Sequence, residues 1–548
     1  MPTITLNKNY LLKLLNKKIS DKELEEKIPM LGTDLSKIEK NEIVVEVFPN
    51  RPDMLSEEGF ARALSSFLGI ETGLRKYEVK RSNHNCKVEK ELKSWPYAVT
   101  AIVKGLEFDD EKIREIIQLQ EKLHLTHLRD RKKGGIGVYP LDKIAMPIKF
   151  TSESLDKIKF RPLESNKEMT GREILEQHPT GKKYRHVLEN EEKYPVFVDN
   201  DGNIMSMPPI INSHLLGKVD ETTKDVFIEA TGTDLNALQQ CLNIIVTTFA
   251  DMGGEIYSMD VLYGKERLVS PNLRPIKMKL DVSYVNKLLG LKLGTREMKV
   301  FLKKMGLDYE DDCALIPRYR VDILHPIDLV EEVAIAHGYE NFVEQIPNVS
   351  TIGEESEESV FYKKIVDTMV GLGFLEVNTY HLTNEANTNE KMNNDTKFVA
   401  LRNSLNVDYS ILRNWMIPNL MDVLSKNKHN EYPQKIFEIG ACFKDDDKEE
   451  TSIKEFTRLG VLIAHNKADF TEIKQVLDSL FNNLALDYKI EKVKHGSFID
   501  GRVGRVNVKG KNVAYIGEIH PQVISNWDLE LPVVALELNL SDLMEVIL

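Results

Sequence analysis

Residues 318–339 read RYRVDILHPIDLVEEVAIAHGY, and they place four carboxylates, Asp322, Asp328, Glu331 and Glu332, within eleven positions. Pro326 suits the first turn of a helix, Leu329, Val330, Val333 and Ala336 recur at helical spacing, and Gly338 supplies a stop. The spacing i, i+3, i+4 predicts Asp328, Glu331 and Glu332 on one helix face, with Asp322 approaching from the extended segment before it. Spacing alone leaves two readings. Hard oxygen ligands so crowded invite a divalent cation such as magnesium, which keeps several waters and accepts one or two carboxylates. Alternatively, the acids complement the helix dipole and pair with Arg318 or Arg320.

Outward from this stretch, 548 residues are too many for one core and predict about three to five domains. A hydrophobic fraction of 42% with 29% charged residues is that of a folded soluble protein, not a disordered one. No apolar run approaches the ~20 residues needed to cross a bilayer, and the N-terminus lacks a basic-then-apolar leader pattern. Cys86, Cys241, Cys313 and Cys442 are scattered without a CxxC pair, so neither a disulfide framework nor a zinc site is expected, and a reducing cytoplasm fits. The net charge of -13 argues against a general nucleic-acid coat. Local basic stretches, HLRDRKK at 127–133 and GKKYRH at 181–186, read as solvated loops or as RNA contacts.

The pattern predicts helices over 3–15, 21–28 and 56–68, a strand over 42–48, and a Pro-bounded turn at 49–53 in which Arg51 and Asp53 bond locally. A second domain starts at 87. It carries a strand at 97–105, a helix at 110–124, and a hairpin of 195–199 and 204–207 leading into Pro208-Pro209-Ile210-Ile211-Asn212-Ser213. The strand 224–231 puts Phe227, Glu229 and Thr231 on one face, and the amphipathic helix 234–252 covers the other, leaving the Glu229 face open. Glu229 either reads a hydroxyl or amine on a small ligand, with Asn212 nearby, or faces solvent. Two short helices join the acidic helix in a small module, 353–359 is a linker, and 408–427 reads as a helix with Pro418 inside it. The remainder alternates helices with strands at 375–381, 434–443, 459–464, 502–508, 512–516 and 533–538, an α+β sheet with much antiparallel pairing.

Six segments in this order, FPNRPDMLSEEGFARAL, SMPPIINS, VFIEATGTDL, the opening stretch, LRNWMIPNLMDVL with KIFEIGACF, and IGEIHP, resemble the β subunit of phenylalanyl-tRNA synthetase in its short archaeal and eukaryotic form. The resemblance spans nearly the whole chain. It implies an α+β multidomain protein: an N-terminal domain at 1–86, an editing domain at 87–270, a small helical, winged-helix-like module at 271–350, and a class II synthetase-like domain at 351–548 without catalytic motifs. It further implies that Asp322, Asp328, Glu331 and Glu332 hold Mg2+ shared with an α subunit in an α2β2 assembly. In the editing domain, Asn212 and Glu229 act on tyrosine wrongly attached to tRNA(Phe), and Phe197 and Ser206 line the pocket. ATP is a substrate of the complex, used on the α subunit. The position two residues before Glu438, where active class II enzymes hold an arginine, is Ile436, and no glycine-rich segment followed by a helical arginine occurs near Gly517. Two other roles compete with this one: a scaffold or RNA-binding subunit with a dead editing site, and a free-standing hydrolase acting without a partner.

Overall fold

The alternation Thr3-Ile4-Thr5-Leu6 buries Ile4 and Leu6 and exposes the threonines, so the chain opens as a strand, Thr3–Asn7, where a helix was expected. The helix begins only at Lys8, capped by the Asn7 side chain, which accepts from the Tyr10 N–H. The strand pairs with Glu42–Glu46 and, through it, with Asp34–Glu39. At the turn, Arg51 and Asp53 form a buried two-pronged ion pair, both hydrogen bonds 2.9 Å.

This computed structural model describes residues 2–89, 93–189, 191–350 and 353–547. They divide into two units, Met1–Ile346 and Pro347–Leu548. In the first, one apolar cluster runs from Ile4 to Ala336 and draws residues from all three expected N-terminal segments. Its central element is a ten-stranded sheet. One of its strands, Val79–Val88, starts within the segment assigned to the first domain; its polar run KRSNHN carries no alternation that sequence could reveal.

The strand Val226–Gly232 lies between Tyr97–Lys104 and Gly134–Pro140, antiparallel to both, and is buried throughout. Val226, Ile228 and Ala230 pack with the helix Leu235–Asp251, as the pattern predicts. The opposite face is covered, not open. Phe227 meets Tyr139 and Phe197, with ring centroids 5.8 and 6.4 Å apart. Phe197 belongs to Lys193–Val198, several strands away in the same sheet, so the sheet curls over to build a second core on the Glu229 face.

Three strands, Ile276–Lys279, Asp308–Glu310 and Cys313–Ile316, pair beside the helices Val282–Leu289, Thr295–Lys304 and Pro326–His337. In the second unit, seven strands form one sheet, antiparallel except where Leu375–Glu376 joins Gln434–Asp445. The expected strand 375–381 stops at Glu376. The expected helix 408–427 starts at Ile417, because Pro418 fits only its first turn.

A carboxyl cluster joins the N-terminal segment to the helix Asp110–Leu125. Tyr10 donates to Glu58 Oε1 at 2.9 Å, the Glu57 N–H donates to Glu115 Oε1 at 2.5 Å, and the Asn7 N–H donates to Glu57. Burial pushes Glu57 up to about 7, and burial together with the neighbouring carboxyls raises Glu58 and Glu115. The folded state therefore holds protons that the unfolded chain releases. This contribution is complete below the unfolded carboxyl range and is lost as pH rises through the folded values, by up to about 1.4 kcal/mol per pH unit for each proton. Between pH ~6 and ~9 the melting temperature should fall, and Glu115→Gln should flatten that fall; parallel curves for parent and variant in scanning calorimetry would contradict the assignment.

Candidate functional site

Glu229 stands opposite Thr100 and Gly137 in the register of its two neighbouring strands. It is 2% exposed, which rules out the solvent-facing reading. The Tyr139 hydroxyl lies 3.1 Å from Glu229 Oε1 and 3.2 Å from Asn212 Oδ1, and its single proton serves one of them at a time. Glu229 Oε2 and the hydroxyl oxygen of Thr100 are buried without a hydrogen-bond partner among the described residues. Such atoms cost free energy unless something else satisfies them. Burial pushes the Glu229 carboxyl up to about 8, opposed only in part by Tyr139. At neutral pH it is mainly a neutral acid, able to donate from one oxygen and accept at the other. Tyr139, raised by burial and by Glu229, keeps its proton.

Asn212 and Glu229 line one cavity of about 260 Å³, together with Glu121, His124, Arg131 and Pro208–Ile211. A second cavity, about 510 Å³, shares its Ile117, Gln120, Leu163, Glu164 and Asn212 walls. Phe197 and Ser206 line neither cavity. Phe197 stacks on Phe150 at 4.7 Å in the core behind it, and Ser206, paired in register with both Phe197 and Asn212, sits beside the Tyr139 hydroxyl. Tyr139 is the residue the sequence reading missed; the alternation of Tyr139 with Gly137 opposite Phe227 and Glu229 is the only signal that places it there.

Arg131 comes from the basic stretch 127–133, yet it is part of the wall. Its guanidinium donates to the carbonyls of Pro209 and Ile210 at 2.9 and 3.1 Å and to Glu121 at 2.6 Å, and it lies over the Tyr184 ring. His124 accepts the Ile136 N–H at Nε2 and faces Glu121 Oε1 through Nδ1, so the proton sits on Nδ1 and neither nitrogen is free. Hydrogen bonding from His124, with Arg131 adding to it, holds Glu121 down at about 2, while burial lowers His124 itself. Neither is available as a base near neutrality.

The acidic helix resolves differently from its spacing. Arg320, 2% exposed, holds Asp322 at 2.9 and 2.7 Å and Glu332 at 3.0 and 2.7 Å. Against the burial that opposes it, this guanidinium keeps Asp322 below the usual carboxylate range. Glu332 therefore turns inward with Leu329, Val330 and Val333, and the expected single acidic face is split. Asp328 Oδ2 accepts the N–H groups of Leu324 and His325, both at 2.7 Å, and Glu331 is exposed. No group of three or more His, Cys, Asp or Glu side chains able to hold a metal ion occurs among the described residues. The four carboxylates thus do not fit a metal site closed by this chain alone; Asp328 and Glu331 are the two that remain outside the Arg320 network.

In the second unit the comparable carboxylates are also taken. Buried Arg413 donates to Glu438 Oε1 at 2.8 Å and to Thr379 Oγ1 at 2.9 Å. Glu537 pairs with Arg458 and accepts the Met416 and Ile417 N–H groups at the start of the helix Ile417–Lys426.

Comparison with known proteins finds three matching stretches. Residues 1–70 match the Phe-tRNA synthetase beta subunit B1 domain, 278–339 the tRNA synthetase B5 domain, and 343–540 the phenylalanyl tRNA synthetase beta chain CLM domain. The phenylalanine–tRNA ligase beta subunit of Methanococcus aeolicus is 41% identical over 98% of this chain and 100% of its own length. That of Pyrococcus abyssi is 40% identical over 100% of both. An N-terminal fragment of the Pyrococcus horikoshii phenylalanyl-tRNA synthetase beta subunit superposes with a TM-score of 0.59 at 39% identity, covering 61% of this chain and 99% of the fragment. With matches of this extent running from end to end, the chain belongs to the phenylalanine–tRNA ligase β-subunit family.

Proposed function

We propose that this chain serves an α subunit that attaches phenylalanine to tRNA(Phe) using ATP, and that its own Glu229 cavity removes tyrosine attached to that tRNA in error. The observation that carries the second part is the buried, unpaired Oε2 of a carboxyl that burial pushes up to about 8. A pocket shaped for phenylalanine rejects an added hydroxyl only weakly, so the wrong product is removed at a second site that hydrogen-bonds the hydroxyl. Glu229 supplies that bond to the tyrosine phenol, Tyr139 holds the carboxyl in place, and the Asn212 amide positions the ester at the shared wall of the two cavities. Water adds to the ester carbonyl, the bond to the ribose oxygen breaks, tyrosine leaves as the free acid, and the ribose oxygen takes a proton. With His124 and Glu121 spent on each other, the tRNA's own terminal hydroxyl activates the water. Phe197 acts from behind, by fixing Phe227.

The class II-like sheet of the second unit is a scaffold for α in an α2β2 complex, a reading supported by Arg413 and Arg458, which already neutralise Glu438 and Glu537. Magnesium is shared with α at the acidic helix: Asp328 and Glu331 offer oxygens, while Asp322 and Glu332 stand behind them on Arg320. A melting curve of the complex that is the same with and without magnesium would count against that site. The editing role is tested by giving the α–β complex tyrosyl- and phenylalanyl-tRNA(Phe) separately. Preferential release of tyrosine is expected, and equal rates for the two esters would remove the role.

A further inference from the structure

A groove of about 640 Å³ in the first unit shares no lining residue with the Glu229 cavities and is walled by residues 74–77, 79, 247, 258, 269, 271–275 and 317–319. Its charge is of one sign. Arg75, Lys76, Arg274 and Arg318 line it, in a chain whose net charge is -13, while Glu71, Glu78, Asp251 and Glu255 line the adjoining cavity that shares Arg75 and Lys76. Arg75 is paired with Glu71 outside the groove, and Arg318 Nε donates to the Arg274 carbonyl at 3.0 Å, which ties two of the walls together. Lys76 and Arg274 are exposed and have no ion pair among the described residues. Lys277, also exposed, continues the stripe along the edge strand Ile276–Lys279, which pairs with a neighbour on one side only. Lys279 faces Asp281 and ends it.

The scaffold under these cations is stiff. Pro271, Pro275 and Pro317 fix the backbone on two of the walls, and buried Tyr319 forms an uncharged floor beneath the Arg62 guanidinium. Cations without a counter-ion that line one groove raise its potential, and an extended polyanion gains by exchanging its condensed counterions for them. A single carboxylate substrate would be served by one bidentate arginine; a row of separate cations matches the repeating charge of a sugar–phosphate chain.

We propose that this groove binds the sugar–phosphate backbone of the tRNA, positioning it without base recognition. The proposal rests on the reading of the chain as a tRNA ligase subunit. The test uses the full α–β complex and tRNA(Phe), with dissociation constants measured by filter binding between about 50 and 200 mM salt. The double variant Lys76→Ala, Arg274→Ala should bind about tenfold more weakly at the lower salt. Its plot of log affinity against log salt should be shallower by about 0.7 to 0.9 for each phosphate that is no longer neutralised. A control pair, Lys17→Ala, Lys18→Ala, removes the same charge from an exposed linker before the helix Asp21–Met30. An unchanged slope and affinity in the groove variant, or equal flattening in the control, overturns the proposal. So does a variant that binds tRNA normally but assembles poorly with α, which would make the groove a protein-binding surface. A parent complex that charges and binds tRNA(Phe) keeps the ligase reading intact in all of these outcomes.

Discussion

Arg320→Ala should cost the first unit about 3–5 kcal/mol, the usual penalty for stripping one partner from a buried ion pair. The guanidinium meets Asp322 and Glu332 together, with side chains 9% and 7% exposed, and also reaches the Met305 carbonyl. Its removal leaves two carboxylates without their main counter-charge in a low-dielectric setting, relieved in part by Arg51, whose field also reaches Asp322. Arg320→Lys keeps a charge but not the planar fork that serves two carboxylates at once, so it should fall between parent and alanine. Urea melts followed by intrinsic fluorescence measure the effect. A loss below about 1 kcal/mol would mean that the pair behaves like an exposed one.

Gly137→Ala should lower tyrosyl-tRNA(Phe) deacylation by about ten- to a hundredfold while leaving phenylalanine charging intact, a loss of about 1–3 kcal/mol in the interaction it disrupts. A Cβ at Gly137 would lie 2.5 Å from both Glu229 Oε1 and the Tyr139 hydroxyl. Tyr139 is fully buried against Phe227 and the Glu229 backbone is fixed in the middle of its strand, so the shift falls on the Glu229 carboxyl. The carboxyl must then leave the orientation in which Oε2 is free, and overpacking adds about 1–3 kcal/mol of strain. Deacylation at the parent rate by this variant would place the reactive site elsewhere in the domain.

Much of this arrangement was legible in the residues. Alternation along 224–231 put Glu229 on the Phe227 face, and the run of turn and apolar residues located the longer strands of the second unit, Gln434–Asp445, Ile453–Ala464, Phe498–Val508, Lys511–Ile519 and Val533–Asn539, but not Lys489–Lys492. What stayed hidden depended on long-range pairing. The curl that brings Phe197 across to Phe227 is a property of the whole sheet, so the Glu229 face looked open when it is enclosed. Glu332 shares helical spacing with Asp328 and Glu331, but Arg320 twelve residues earlier draws it inward. Pro418 begins a helix where it looked like an interruption, since the apolar stripe around it extends further than the helix does. Tyr139 carries no motif at all; only register sets its hydroxyl between Glu229 and Asn212.

The central claim, that Glu229 reads the tyrosine hydroxyl, is tested most directly by deacylation of tyrosyl-tRNA(Phe) by the α–β complex carrying Glu229→Ala. Loss of the hydrogen bond should slow release of tyrosine by about ten- to a hundredfold, with phenylalanine charging unchanged. Glu229→Gln, which preserves shape and neutrality, should lose less and should no longer change with pH around 8, where the parent carboxyl ionises. Equal deacylation by parent and Glu229→Ala would contradict the account and leave Glu229 as a buried residue of the strand.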